Sequence, residues 1–384
     1  MNKSSKREPK INRMSSALGT PKTPPGKATK GIPDSTVGLD LGDQFCYFCT
    51  LDGDGNMVSE GKAPTTRDAL QKHFASIAAS RIAMESGTHS GWISRLATAA
   101  GHEVIVANPR ELRKIHQSDR KNDRADARIL ARMARFDPEL LAPIQHRSAP
   151  MQADLATIRA RDALVRARAQ CVNSTRGLVK AMGARLPKCS TPSFAKKATA
   201  HLPEELRIAL EPMIQVIENL TEQIHQYDRQ VEELAAKSYP QTQHLQQISG
   251  VGPLTALAFI LTLADPSRFP KSRDVGPYLG LVPRQANSGN HVSQLGITKA
   301  GDALMRRLLV GSAHYILGPF GSDCDLRRYG ERLMQRGGKN AKKRAVVAVA
   351  RKLGVLLHHL WSSGEAYDAL RNSKAADAAG AVAA

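Results

Sequence analysis

The sequence predicts an α/β plus α fold: a mixed-sheet N-terminal domain, then long coiled-coil helices, then a mostly helical C-terminal domain. Three observations carry this. Short apolar runs of strand type alternate with amphipathic patterns between residues 36 and 136. Apolar residues then recur every seven positions through two long segments. Beyond Tyr239-Pro240 the pattern turns helical and is punctuated by glycine turns.

Residues 1–35 are rich in Lys, Pro, Ser and Gly and poor in large apolar residues. So little apolar surface cannot offset ordering entropy, and the segment reads as a disordered basic arm. Residues 36–40 (TVGLD) and 44–51 read as strands. Asp52-Gly53-Asp54-Gly55-Asn56 is a turn signal before a third strand near 57–62. An amphipathic helix follows, with Leu70, Phe74 and Ile77 on one face. Residues 81–84 form a short strand ending at Glu85, 92–99 a helix, 103–107 (EVIVA) a buried strand, and 123–136 a helix. A three-strand meander followed by helix, strand, helix, strand, helix fits a ribonuclease-H-like layer, an antiparallel edge continued by parallel strands. This domain is bounded at 36–147.

Residues 148–238 carry the heptads. Leu210, Ile217, Ile224 and Val231 recur every seven residues, with Met213, Leu220, Tyr227 and Leu234 at the second position. Upstream, Ile158, Val165, Val172 and Val179 recur in a basic helix, and Pro187, Pro192 and Pro203 separate the two. An antiparallel hairpin within one chain and a dimer zipper both fit; the favoured reading is a hairpin that also contributes to assembly. Residues 241–370 form the C-terminal domain, and 371–384 an Ala-rich flexible tail. In the former, Gly250 and Gly252 precede a helix, as in a helix-hairpin-helix turn whose backbone approaches phosphate. A plain helix start is the alternative.

Lys and Arg outnumber Asp and Glu by 55 to 35, a net charge of +20. That surplus points to a polyanion, most often nucleic acid. No apolar run approaches the roughly 20 residues of a membrane span, and the basic N-terminus lacks the apolar core of a secretory signal. Five cysteines fit a reducing cytoplasm. Cys46 and Cys49 form a CxxC without a second pair. On a strand they face opposite ways, so they read as small buried side chains rather than zinc ligands. Arg336-Gly337-Gly338-Lys339 lacks the spacing of a phosphate loop and follows no strand.

Asp40 ends the first strand, Glu85 ends the fourth, and Asp123 and Asp126 begin a helix on one face. Each alone has a bland reading: a turn residue, an exposed edge, a helix cap. Together, in a ribonuclease-H-like sheet, they converge, and four convergent carboxylates need a divalent cation between them. Mg²⁺ suits hard oxygen donors and polarises a phosphate. Arg113, Lys114, Arg120 and Lys121 lead into this helix and are expected to hold a phosphate backbone. Ser288, in the Ser-Gly of an expected flexible loop, is surrounded in sequence by Arg284, Lys299, Arg306 and Arg307. A serine hydroxyl needs help to lose its proton before it can act as a nucleophile.

Gly38-Leu39-Asp40, Met84-Glu85-Ser86 and Asn122-Asp123-Arg124-Ala125-Asp126-Ala127-Arg128 resemble the D, E, D, D positions of the DEDD transposases of the insertion-sequence 110 type. The N-terminal half of that family is similar to the Holliday-junction resolvase RuvC. Gly250-Val251-Gly252-Pro253, Asp265-Pro266-Ser267-Arg268-Phe269, residues 278–284, Ser288-Gly289 and Thr298-Lys299-Ala300-Gly301 resemble the family's C-terminal region. The resemblance implies a RuvC-like domain whose four carboxylates bind Mg²⁺, and a Ser288 nucleophile that forms phosphoserine with DNA. It also implies a bacterial, cytoplasmic, nucleoid-associated protein that works as a homo-oligomer on element ends and target. In some members a structured guide RNA is used. A junction-resolving nuclease that uses water and a catalytically dead nucleic-acid scaffold are the competing readings.

Overall fold

The computed structural model describes residues 34–115, 122–288 and 291–373, without the side chains of 113–115, 286–288 and 291–294. The expected basic arm, apart from Asp34 and Ser35, and the tail from residue 374 onward lie outside the described residues. The chain divides into two compact units between His146 and Arg147.

The N-terminal unit runs β1 (Thr36–Leu41), β2 (Phe45–Leu51), β3 (Met57–Pro64), α1 (Arg67–Ser76), β4 (Arg81–Glu85), α2 (Ser90–Ala99), β5 (Glu103–Ala107), α3 (Pro109–Ile115) and α4 (Asp123–Phe136). Its sheet has the order β3-β2-β1-β4-β5. β1, β2 and β3 pair antiparallel, while β4 and β5 extend β1 in parallel. This is the expected meander continued by parallel strands, consistent with a RuvC-like domain. α1 and α2 cover one face, where Val37, Leu39, Ile82 and Met84 pack with Leu70, Phe74, Ile93 and Ala97. α4 contributes to the other, where Ala83, Ile105 and Ala107 pack with Leu130 and Ala134. Cys46 belongs to the first core and Cys49 lies against Ala127 and Ala131, so the pair is split across the sheet as its spacing predicts.

The second unit begins with α5 (Ala149–Ala181), α6 (Phe194–Thr199) and α7 (Glu204–Lys237). α5 and α7 pack antiparallel within the chain. Val172 and Val179 meet Leu210, Ile214 and Ile217, and further along Leu155 and Ile158 share a core with Val231 and Ala235. Arg168 Nη1 donates to Thr221 Oγ1 at 3.1 Å and Arg161 pairs with Asp228 at 2.5 Å. A buried polar pair penalises slippage, because a shifted register strands both groups in an apolar seam. Leu210, Ile217, Ile224 and Val231 are buried as expected, but the positions that complete the seam are Ile214, Thr221 and Ala235. Met213, Leu220, Tyr227 and Leu234 lie half-buried at its margin. A 3.5-residue repeat admits a partner at +3 or +4, and the packing of α5 selects +4.

α8 (Thr242–Gln246), α9 (Pro253–Leu263), α10 (Val275–Tyr278), β6 (Pro283–Ser288), β7 (His291–Ile297), α11 (Ala303–Ile316), α12 (Asp325–Gln335) and α13 (Ala341–Ser363) complete the unit. α9 is its centre, with every residue from Thr255 to Leu263 buried. α11, α13 and the ends of α5 and α7 share its core. Among the described residues no helix is long and apolar enough to cross a membrane.

Candidate active site

β1 and β4 run in register, Gly38 beside Ala83 and Leu39 beside Met84, so the next step brings Asp40 level with Glu85 at the strand ends. Alternation puts Gly38, Asp40, Ala83 and Glu85 on one face of the sheet. Gly38 shows which face. A Cβ there would stand 1.9 Å from the Ala127 carbonyl oxygen and 2.4 Å from the Ala131 nitrogen. The backbone of α4 therefore rests directly on Gly38, which is why this position requires glycine. Arg81 Nη1 donates to the Ala134 carbonyl at 3.2 Å, so the end of α4 lies over the beginning of β4. The first turn of α4, which carries Asp123 and Asp126, accordingly lies toward Asp40 and Glu85. Asn122 caps that turn by accepting from Arg124 N at 3.1 Å. The positive end of the helix dipole thus falls at the carboxylates of its own first turn.

All four carboxylates are half-buried. Among the described residues no three His, Cys, Asp or Glu side chains close into a cluster able to hold a metal ion. The donor type nonetheless suits a hard divalent cation, since all four side chains offer carboxylate oxygens.

Glu60, on β3, was not legible as a site residue. It takes Arg128 at 2.6 Å and Arg124 at 3.7 Å, and it holds the Arg128 guanidinium above its ordinary range through hydrogen bond and charge. Arg135 donates to the Gly53 carbonyl, so three arginines of α4 grip the β2–β3 hairpin. The i, i+4 spacing of Arg124 and Arg128 was visible in sequence, but not the carboxylate opposite. Arg113 and Lys114 lie on α3, with side chains outside the described residues; Arg120 and Lys121 lie outside them altogether.

The region of Ser288 is a correction. It was expected as a flexible loop, but β6 and β7 form an antiparallel hairpin in which Ser288 pairs with His291. Ser288 is the last residue of β6, and its side chain is outside the described residues. The hairpin's base is tight. Gly280 and Gly301 both have positive φ, +68° and +72°. A Cβ on Gly280 would lie 2.1 Å from the Ala300 oxygen, and one on Gly301 2.1 Å from the Tyr278 oxygen. Thr298 N donates to Val282 O at 2.9 Å and Lys299 N to Gly280 O at 3.1 Å. Residues 278–282 and 298–301 are thus pressed backbone to backbone beneath the hairpin.

Of the four cations expected around Ser288, two have internal partners. Arg306 Nη1 donates to the carbonyls of Leu279, Ala300 and Gly301, sealing the hairpin base. Arg307 pairs with Asp162 of α5 at 2.6 Å. Arg284 and Lys299 are exposed. Arg284 lines an open cleft of about 710 Å³ with Gln285, Thr298 and Arg351 of α13. Arg351, about fifty residues downstream of the cation ring, gave no sequence signal. Gly250, at φ +91°, is needed where α11 approaches, since a Cβ would come within 2.9 Å of the Tyr315 ring. Gly252 caps α9 with open space before it.

Residues 37–183 match the family model of DEDD transposases of the IS110 kind, described as a transposase. Residues 242–318 match the model described as the transposase IS116/IS110/IS902 family. The chain is 28% identical over 343 residues to the transposase for insertion sequence element IS1111A of Coxiella burnetii, covering 86% of this chain and 90% of the relative. It is 29% identical over 290 residues to the transposase for insertion sequence element IS1328 of Yersinia enterocolitica, covering 73% and 84%.

Proposed function

Because the chain belongs to the IS110 family of transposases, we propose that it cuts and rejoins DNA strands at the ends of its element and at a target through a phosphoserine intermediate on Ser288. The observation that carries the reading is the register of Asp40 with Glu85 on the face that α4 covers, toward the turn bearing Asp123 and Asp126. Mg²⁺ held by these four carboxylates would neutralise charge developing on the scissile phosphate. Arg284, Lys299 and Arg351 hold the phosphate oxygens beside the hairpin. Arg306 acts by fixing the hairpin base, and Arg307 by tying α11 to α5. Arg113, Lys114, Arg120, Lys121 and the backbone at Gly250 and Gly252 contact phosphates further along the DNA.

The Ser288 hydroxyl forms an O–P bond as one P–O bond of the DNA breaks, and the released DNA oxygen ends as a hydroxyl. The ester keeps the energy of the phosphodiester, so a DNA hydroxyl can reverse the step without another energy source. Attack by water would lose that energy. A structured RNA from the element guides target choice, and the +20 charge supports such a polyanionic partner. The protein acts as a homo-oligomer, with the end of the α5–α7 hairpin that carries Leu178 and Ile208 as its contact. Leu178, Met182, Ile208 and Val216 are exposed there.

The test is incubation with element-end DNA and Mg²⁺, followed by a denaturing gel. Wild-type protein should yield a covalent protein–DNA adduct. Ser288→Ala should bind DNA nearly as well and yield none. Normal cleavage by Ser288→Ala, leaving protein-free ends, would overturn the serine mechanism.

A further inference from the structure

We propose that the far end of α11 is a second DNA-binding surface, on which Phe320 wedges into a base step while Lys342 and Lys343 hold the flanking phosphates. The proposal rests on the reading that this chain acts on DNA, but not on the serine chemistry.

Gly318-Pro319-Phe320-Gly321 lies between α11 and α12, and Phe320 is 80% exposed. An exposed phenylalanine alone means little. This one stands on a loop built to be rigid. Arg327 Nη1 donates to the carbonyls of Ile316, Gly318 and Gly321 at 2.9, 2.7 and 3.1 Å. Gly318 N closes back on Tyr315 O at 3.0 Å. Gly321 lies so near the chain before it that a Cβ would be 2.1 Å from the Ile316 oxygen. The ring is held out in water by a loop tied down on both sides, at Gly318 and Gly321, which is preorganisation.

A cationic cleft lies at the same end of α11. His314, on the last turn of α11, lines an open cleft of about 540 Å³ with Lys342 and Lys343 of α13. The first turn of α13 has no acidic residue. The turn before it, with Gly337, Gly338 and Asn340 in left-handed conformation, leaves Arg336 and Lys339 exposed. Lysines at a helix N-terminus oppose the macrodipole, so this placement does not serve the helix. It serves an anion. An apolar wedge flanked by lysines is the chemistry with which proteins unstack and bend duplex DNA. Tyr315, 45% exposed on the same turn as His314, extends the aromatic surface toward Gly250. The Arg336–Lys339 segment is no phosphate loop, but it has a place in this surface.

The experiment uses full-length protein in the Ser288→Ala background, so that no strand is cut. The probes are duplexes covering the DNA that flanks this reading frame, with 2-aminopurine at successive positions. A fluorescence rise at one or two adjacent positions reports unstacking. Phe320→Ala should abolish most of that rise, and Phe320→Leu, still an apolar wedge, should keep it. Lys342→Gln with Lys343→Gln should reduce the slope of log affinity against log salt by roughly 1 per lysine. The proposal fails if no position brightens with Phe320 present, or if Phe320→Ala brightens as wild type does. It also fails if Phe320→Ala lowers the oligomer mass without DNA, which would make the ring a protein contact. Loss of binding to structured RNA but not to duplex DNA would overturn it equally. None of these readings requires a Ser288 adduct.

Discussion

Gly38→Ala adds one methyl group and tests the whole placement of the carboxylates. Its Cβ would lie 1.9 Å from the Ala127 oxygen and 2.4 Å from the Ala131 nitrogen, both backbone atoms of α4 that no rotamer change can move. Relief to an ordinary contact requires α4 to lift from the sheet by about 1.5 Å. Overpacking of this kind costs about 1–3 kcal/mol, equivalent to a fall of roughly 5–15 °C in the melting of the N-terminal unit. The same shift carries Asp123 and Asp126 away from Asp40 and Glu85, and a misplacement of about 1 Å costs on the order of 100-fold in rate. Strand cleavage should therefore fall far more than the folded fraction at 25 °C does. Gly177→Ala is the control: it lies within α5 with open space around it, and the change should be neutral or slightly stabilising. Wild-type melting and cleavage in Gly38→Ala would refute the close approach of α4 and, with it, the shared end of the four carboxylates.

Arg306→Ala removes the donor shared by three carbonyls beneath the Ser288 hairpin, at about 1–3 kcal/mol. Adduct formation should drop while DNA affinity holds, and an affinity loss without an adduct defect would make Arg306 a direct DNA contact instead. Burial, with a smaller push from His102, holds His73 below its ordinary value of 6.5. The unfolded chain then takes up the proton first as pH falls, so the N-terminal unit should keep this contribution above about pH 7.5 and lose it through 6.5 toward the folded value. His73→Phe, beside Phe48 at 4.3 Å between ring centroids, should flatten that acid-side slope in melts from pH 8 to 5. Ile208→Glu with Leu178→Glu, on exposed positions of the helical hairpin, should lower the oligomer mass in light scattering at unchanged helicity. Ile217→Asp should instead unfold the hairpin, since Ile217 is wholly buried within the chain.

The N-terminal sheet was legible because its boundaries are written in local chemistry. β5 and α4 fall at the expected residues. Asn108-Pro109 stops the strand, Asn122 caps the helix, and Asp137-Pro138 ends it. The β6–β7 hairpin was not legible. PRQANS and HVSQLGI show no clean apolar alternation, and their pairing is backed by backbone contacts at the base, Thr298 to Val282 and Lys299 to Gly280, between residues 16 and 19 apart in sequence. The seam of α7 was half legible. The repeat identified the helix and one row of residues, but only the facing helix chooses between Met213 and Ile214.

Charge was the least legible property, and Arg306 and Arg307 show why. They are adjacent, and both stand near Ser288 in sequence. On α11, however, successive residues turn by about 100°, so the two guanidiniums leave the helix in different directions. One meets three carbonyls of the hairpin base, the other Asp162 of α5. A cation already bonded to the protein must give up those bonds before it can bind phosphate, and that cost falls on the folded state. Arg284 and Lys299 remain at the exposed surface, and Arg351 joins Arg284 from a helix whose sequence position gave no hint. Phosphate binding near Ser288 should therefore depend more on Arg351 than on Arg306 or Arg307. Arg351→Gln should weaken affinity for DNA while leaving the melting temperature unchanged, and a variant that melts early without losing affinity would assign Arg351 to packing over Gly276 instead.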